Sequence, residues 1–123
     1  MLKLFNGANG LFYLLWGIWG AIYPVKSAEL MGWEANSLLG LHEMRATWAS
    51  FAMLGLVILL KGLDDKTARG AAFAIIMATA GLFLGRLLAL GIDGAGPDRT
   101  YMELGIEAVI IILGAFLLRR TRP

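Results

Sequence analysis

Four runs of apolar residues, each about twenty long, leave a chain like this few folds to choose from. They cover Leu4 to Tyr23, Leu38 to Leu60, Ala68 to Gly91 and Thr100 to Arg119. About twenty such residues in a helix cross roughly 30 Å of hydrocarbon, where every backbone polar group must be satisfied internally. The breaks between the runs agree. Pro24 stops the first run and suits the first turn of a short amphipathic segment reaching Met31. Gly32 to Asn36 reads as a polar turn, with Asn36 or Ser37 placed to cap the next helix. Lys61 to Thr67 is a charged hairpin that makes its flanking runs antiparallel neighbours. Asp93-Gly94-Ala95-Gly96-Pro97 is a turn by its chemistry, after which Thr100 is expected to cap the last helix. The expectation is an all-α integral membrane four-helix bundle, a single domain over residues 1–123, with a short amphipathic outer segment after the first helix.

Composition closes off the alternatives. The chain is 59% hydrophobic and 16% charged, with mean hydropathy +0.71. Soluble domains run nearer half apolar and a quarter charged. The chain has no cysteine, which excludes disulfides, thiolate metal sites and thiol redox chemistry. The first run reads as a retained helix. It is too long for a signal peptide, has barely a basic leader, and shows no small-x-small cleavage site after Tyr23.

Basic residues set the orientation. With both termini cytoplasmic, the inner side holds Lys3, Lys61, Lys66, Arg69, Arg119, Arg120 and Arg122, against Lys26 and Arg99 outside. That bias predicts an N-in, C-in bundle in a bacterial inner membrane. Tyr23, Trp33 and Tyr101 then fall at the outer interface as an aromatic belt. A net charge of +2 placed at helix ends suits membrane lipids as partners and does not suit nucleic acid.

Inside the spans lie charges that demand an explanation. Arg45 sits about seven residues below the start of the second run, roughly 10 Å at 1.5 Å per residue. Glu107 lies about as deep in the fourth run, and Arg86 slightly shallower in the third; His42, Glu43 and Glu103 are a turn nearer the surface. An unpaired charge near mid-membrane costs roughly 2.5–3.5 kcal/mol even on lenient scales. Arg45, Arg86, Glu43, Glu103 and Glu107 together would cost on the order of 10 kcal/mol, rivalling the net stability of a small domain. They are therefore expected to pair or reach water, with Arg86 bound to one of Glu43, Glu103 or Glu107. Glu43 and Arg45 diverge by about 200° around their helix, so only one can point into the bundle.

Local readings compete with that layer. Thr100-Tyr101-Met102-Glu103 matches a capping box, in which Glu103 would bond back to the helix start. His42 near an interface suits a structural hydrogen bond, Asp93-Gly94 a plain turn, and Trp16, Trp19 and Trp48 packing. No cofactor or metal is expected, because His42 is the sole histidine and no Glu-x-x-His, P-loop or dinucleotide fingerprint occurs. The inner halves of the later runs are apolar, which argues against an ion conduit.

Glu43-x-Arg45, Gly85-Arg86-Leu87-Leu88, Asp93-Gly94 and Tyr101-x-Glu103-Leu104 together resemble a bacterial integral-membrane family, domain of unknown function 4345, related in appearance to DoxX-like proteins. The resemblance implies the four-helix fold and singles out Glu43, Arg45, Arg86, Asp93 and Glu103. It brings no activity, substrate or cofactor. By analogy with DoxX-like proteins it implies an accessory role.

Three functions remain open from sequence. The first is a non-enzymatic accessory subunit, or a binder of an amphipathic lipid- or quinone-like molecule, at the layer of His42, Glu43, Arg45, Arg86, Asp93, Glu103 and Glu107. The second is an isomerase-like membrane enzyme using a carboxylate as acid and base. The third is an ion-pair network that only holds the bundle together. A homo-oligomer or a larger membrane complex stays open, since Gly81-x-x-x-Gly85 suits packing either within a bundle or between copies.

Overall fold

The computed structural model describes residues 1–34 and 36–121; Ala35, Arg122 and Pro123 lie outside the described residues. Arg122, one of the inner basic residues, and Ala35 of the polar turn are the sequence expectations that fall there. The chain is all-helical, in the order α1 Leu2–Ile22, α2 Pro24–Met31, α3 Leu38–Gly62, α4 Ala68–Ile92 and α5 Asp98–Arg120.

Each boundary has a local cause. Pro24 opens α2 at its first position, and Gly32 ends it in the left-handed conformation (φ 71°). Ser37 caps α3, its Oγ accepting from Gly40 N–H at 2.9 Å. The last boundary departs from expectation. α5 begins at Asp98 with Pro97 as its N-cap, and Thr100 N–H donates to Pro97 O at 2.8 Å. Proline has no N–H to lose and a fixed φ, so the helix starts directly after it and Thr100 falls inside the first turn.

Among the described residues there are five helices, and three are long and apolar enough to cross a membrane: α3, α4 and α5. α1 is long enough, but it carries Lys3, Asn6 and Asn9 among its apolar residues and is not one of the three.

α1 and α3 form an antiparallel seam along their whole length. Asn6 lies against Gly62, Gly10 against Ile58 and Leu59, Gly17 against Ala52 and Trp48, and Gly20 against the Trp48 ring. The backbones meet where side chains are missing. A Cβ on Gly17 would stand 2.6 Å from Trp48 O, and one on Gly55 2.7 Å from Gly10 O. α4 and α5 make the second pair, with Gly114 admitting Ile76 and Phe5.

The two pairs join chiefly at one end. The core there is built from Leu2, Phe5, Tyr13, Ile58, Ala68, Ala72, Ile75 and Leu117. Asn6 is fully buried and donates to both Gly62 O (3.0 Å) and Ala68 O (2.9 Å), tying the end of α3 to the start of α4. Arg69 donates to Leu118 O at 2.8 Å and so ties α4 to α5. Toward the other end, packing thins. No residue of α4 is buried beyond Thr79, none of α3 before Trp48, and none of α5 before Glu107.

Candidate functional site

The thinly packed end carries the charges. Arg86 continues the line of Ala68, Ala72, Ile75 and Thr79 at helical spacing, so it points inward from α4 where the apolar core has stopped. Glu103 and Glu107, one turn apart on α5, face it. Arg86 Nη2 is bonded to Glu103 Oε2 and lies 3.4 Å from Glu107 Oε1. Glu103 Oε1 accepts from Arg99 Nε at 2.7 Å, an i,i+4 pair along α5. Four charges from two helices thus form one cluster. Glu107 is its deepest member, 6% exposed.

Arg99 does a second job. Its guanidinium also bonds Leu30 O and reaches Met31 Sδ at 2.9 Å, which pins the end of α2 over the head of α5. The next residues carry the chain to α3, where the Trp33 ring stacks on Trp48 (centroids 5.9 Å, planes 22° apart). Between this roof and helices α4 and α5 lies a cavity of about 320 Å³. Its walls are Met31, Trp33, Ala89 and Pro97 beside Arg86, Arg99 and Glu103.

The other sequence candidates do not join the cluster. Arg45 donates to Ala21 O (2.6 Å) and Ile22 O (3.3 Å), serving the free carbonyls that end α1. Its divergence from Glu43 is the one the helix geometry imposes, and Glu43 and His42 stay exposed on α3. Asp93 is the exposed C-cap of α4, its N–H donating to Ala89 O. The capping box of Thr100 and Glu103 does not form, because both Glu103 oxygens are taken by guanidiniums. Arg99 was missed as a site residue, having been read only as an outer-loop charge. Its i,i+4 spacing to Glu103 was the available signal.

Gly81 and Gly85 do not face a neighbour within the chain, for a Cβ on either would meet nothing within 4 Å. The same holds for Gly91 and Gly105. The aromatic belt residues Tyr23, Trp33 and Tyr101 are each about half exposed, at 48%, 46% and 50%. Trp16, Trp19 and Trp48 pack with Phe12 and Phe51 in one aromatic cluster along the seam.

Residues 1–118 match the family model described as Domain of unknown function (DUF4345). The chain belongs to that family. The DUF4345 match takes in α1 to α4 and nearly all of α5, so the seam and the charged cluster both lie within the family domain. No curated protein and no solved structure matches the chain. DUF4345 membership carries neither an activity nor kinship to DoxX-like proteins.

Proposed function

We propose that this protein is a non-enzymatic membrane binder. It takes the polar head of an amphipathic molecule into the cleft between α2, α4 and α5. The observation that carries this reading is the meeting of a four-charge cluster with a cavity, at the end of the bundle that lacks a packed core. A volume of about 320 Å³ is at the small end of ligand pockets, and suits a head group rather than a whole lipid. The outward faces of the helices carry Leu, Ile, Phe and Met, which a bilayer would cover.

The same reading gives the topology. α1 runs beside α3 from Asn6 at Gly62 to Ala21 at Arg45, so if α3 crosses the bilayer α1 crosses with it. The proposal is thus a four-crossing, single-domain protein of a bacterial inner membrane, termini inside and the cleft at the outer leaflet. Lys3, Lys61, Lys66, Arg69, Arg119 and Arg120 all sit at the end remote from the cleft, as the positive-inside rule requires.

Acid–base catalysis is less favoured. Glu103 accepts from two guanidiniums, and Glu107, whose second oxygen is buried and unpartnered, does not line the cavity, so neither is a free base facing a substrate. A purely structural network accounts for the pairing but not for the cavity beside it. The test is native mass spectrometry of protein extracted in mild detergent. The wild type is expected to carry a bound amphiphile that Arg86→Gln and Glu107→Gln lose while remaining folded by circular dichroism. Folded variants that keep the same bound molecule would sink the proposal.

A further inference from the structure

The binding reading leaves open what kind of head the cleft accepts, and the polar atoms on the cavity wall bear on that. Three charged side chains line it: Arg86, Arg99 and Glu103. Both guanidiniums meet on the one carboxylate, Arg86 Nη2 on Oε2 and Arg99 Nε on Oε1 at 2.7 Å. Two cations are therefore held next to each other on a single anion. Glu107, the other partner of Arg86, is buried and off the cavity wall. It offsets part of the charge without occupying the surface a ligand would meet.

Hydrogen-bond capacity is lopsided in the same direction. Arg86 makes both ion pairs through Nη2 and buries Nε, while Nη1 is neither bonded among the described residues nor enclosed. Arg99 gives Leu30 O a hydrogen from Nη1, and its Nη2 meets only the Met31 thioether, a weak acceptor. Each of these terminal nitrogens carries two hydrogens, so the wall keeps N–H donors to spare. The one carboxylate on the wall already serves both arginines.

Resting on the binding reading, we infer that the cleft selects a singly charged phosphate head, of the phosphodiester kind. Such a group accepts hydrogen bonds through two terminal oxygens that neighbouring guanidiniums can share. Its one negative charge balances a wall of two cations and one anion. The apolar side chains of Met31, Trp33, Ala89 and Pro97 keep water from screening that attraction. A carboxylate would match the charge but fill little of about 320 Å³, whereas a phosphodiester carrying a small alcohol fills more of it. A zwitterionic head would bring a cation beside two guanidiniums, and a diacylglycerol head would leave the spare donors without an anion.

The experiment titrates purified protein with dioleoylphosphatidylglycerol, dioleoylphosphatidylcholine and dioleoylglycerol, which share their chains and differ at the head, and reads the affinities by native mass spectrometry. Phosphatidylglycerol is expected to bind about tenfold or more tightly than either of the others. Arg99→Gln leaves the wall with one cation and one anion and is expected to erase most of that preference, while Arg99→Lys keeps the charge and is expected to retain it. Asp93→Asn changes an exposed carboxylate off the cavity wall and is expected to leave the preference unchanged. Millimolar inorganic phosphate separates the sources: displacement of the bound lipid assigns the phosphate to a soluble ligand, and no displacement assigns it to a membrane lipid, with the head chemistry upheld in both cases. Equal affinities in the wild type, or tighter binding of phosphatidylcholine or diacylglycerol, overturn the inference and leave the binding reading standing. Binding of none of the three lipids overturns both. A preference unmoved by Arg99→Gln, lost as fully in Arg99→Lys, or moved as far by Asp93→Asn also overturns it, because the charge on the wall would not then be the selector.

Discussion

Gly17 and Gly55 on one side of the molecule, and Gly81 and Gly85 on the other, occupy the same kind of position: a small residue within an apolar helix. Their surroundings are opposite. A side chain at Gly17 or Gly55 would run into the backbone of the facing helix, while one at Gly81 or Gly85 would enter open space. The first pair sits in the α1–α3 seam, where close approach is the source of stability, because van der Waals contact replaces the hydrophobic drive that lipid removes. The second pair lies on the C-terminal half of α4, where no residue after Thr79 is buried. The difference shows a bundle closed along one seam and open at one end. The charges of Arg86, Arg99, Glu103 and Glu107 lie at the open end.

The contrast can be broken by substitution, with effects read as unfolding free energies in detergent micelles. Gly55→Val meets the Gly10 and Leu14 backbone, which cannot swing aside, and is expected to cost about 3 kcal/mol or more, or to prevent folding. Tolerance at Gly55 together with intolerance at Gly85 would reverse the assignment of closed and open sides. Arg86→Met leaves Glu107 buried without its cation and is expected to cost about 3 kcal/mol. Adding Glu107→Leu should recover most of that loss in stability without restoring a bound ligand, which separates pairing from function. Asn6→Ala removes both carbonyl contacts that join α3 to α4 at the closed end, for about 1–3 kcal/mol. Gly85→Ala is expected to change stability by no more than about 0.5 kcal/mol, since the new methyl touches nothing.

Much of this architecture was legible in the sequence where the cause is local. Pro24, Gly32 and Ser37 fix the ends of α1, α2 and α3 through their own local chemistry, and each boundary falls within a residue or two of its expected place. That Arg86 pairs with a carboxylate followed from the cost of burying charge, but Glu43 of α3 was as eligible as Glu103 and Glu107 of α5. What stayed hidden depends on where helices lie relative to one another. Nothing in the spacing of Gly81 and Gly85 distinguishes an open flank from a seam, since only the placement of the neighbouring helices decides it. Arg45 could not be assigned to the end of α1 until α1 and α3 were in register. Glu103 had two local partners on offer, the cap at Thr100 and the guanidinium of Arg99. Pro97 settled the choice by starting the helix early and leaving Thr100 within its first turn.

Labelling at Ala89 tests the open, ligand-accepting cleft most directly. The chain has no cysteine, so Ala89→Cys supplies a single thiol on the cavity wall. A charged, membrane-impermeant maleimide added to the outside of intact cells is expected to modify it. A thiol that reacts only from the cytoplasmic side, or from neither side in folded protein, would contradict the account.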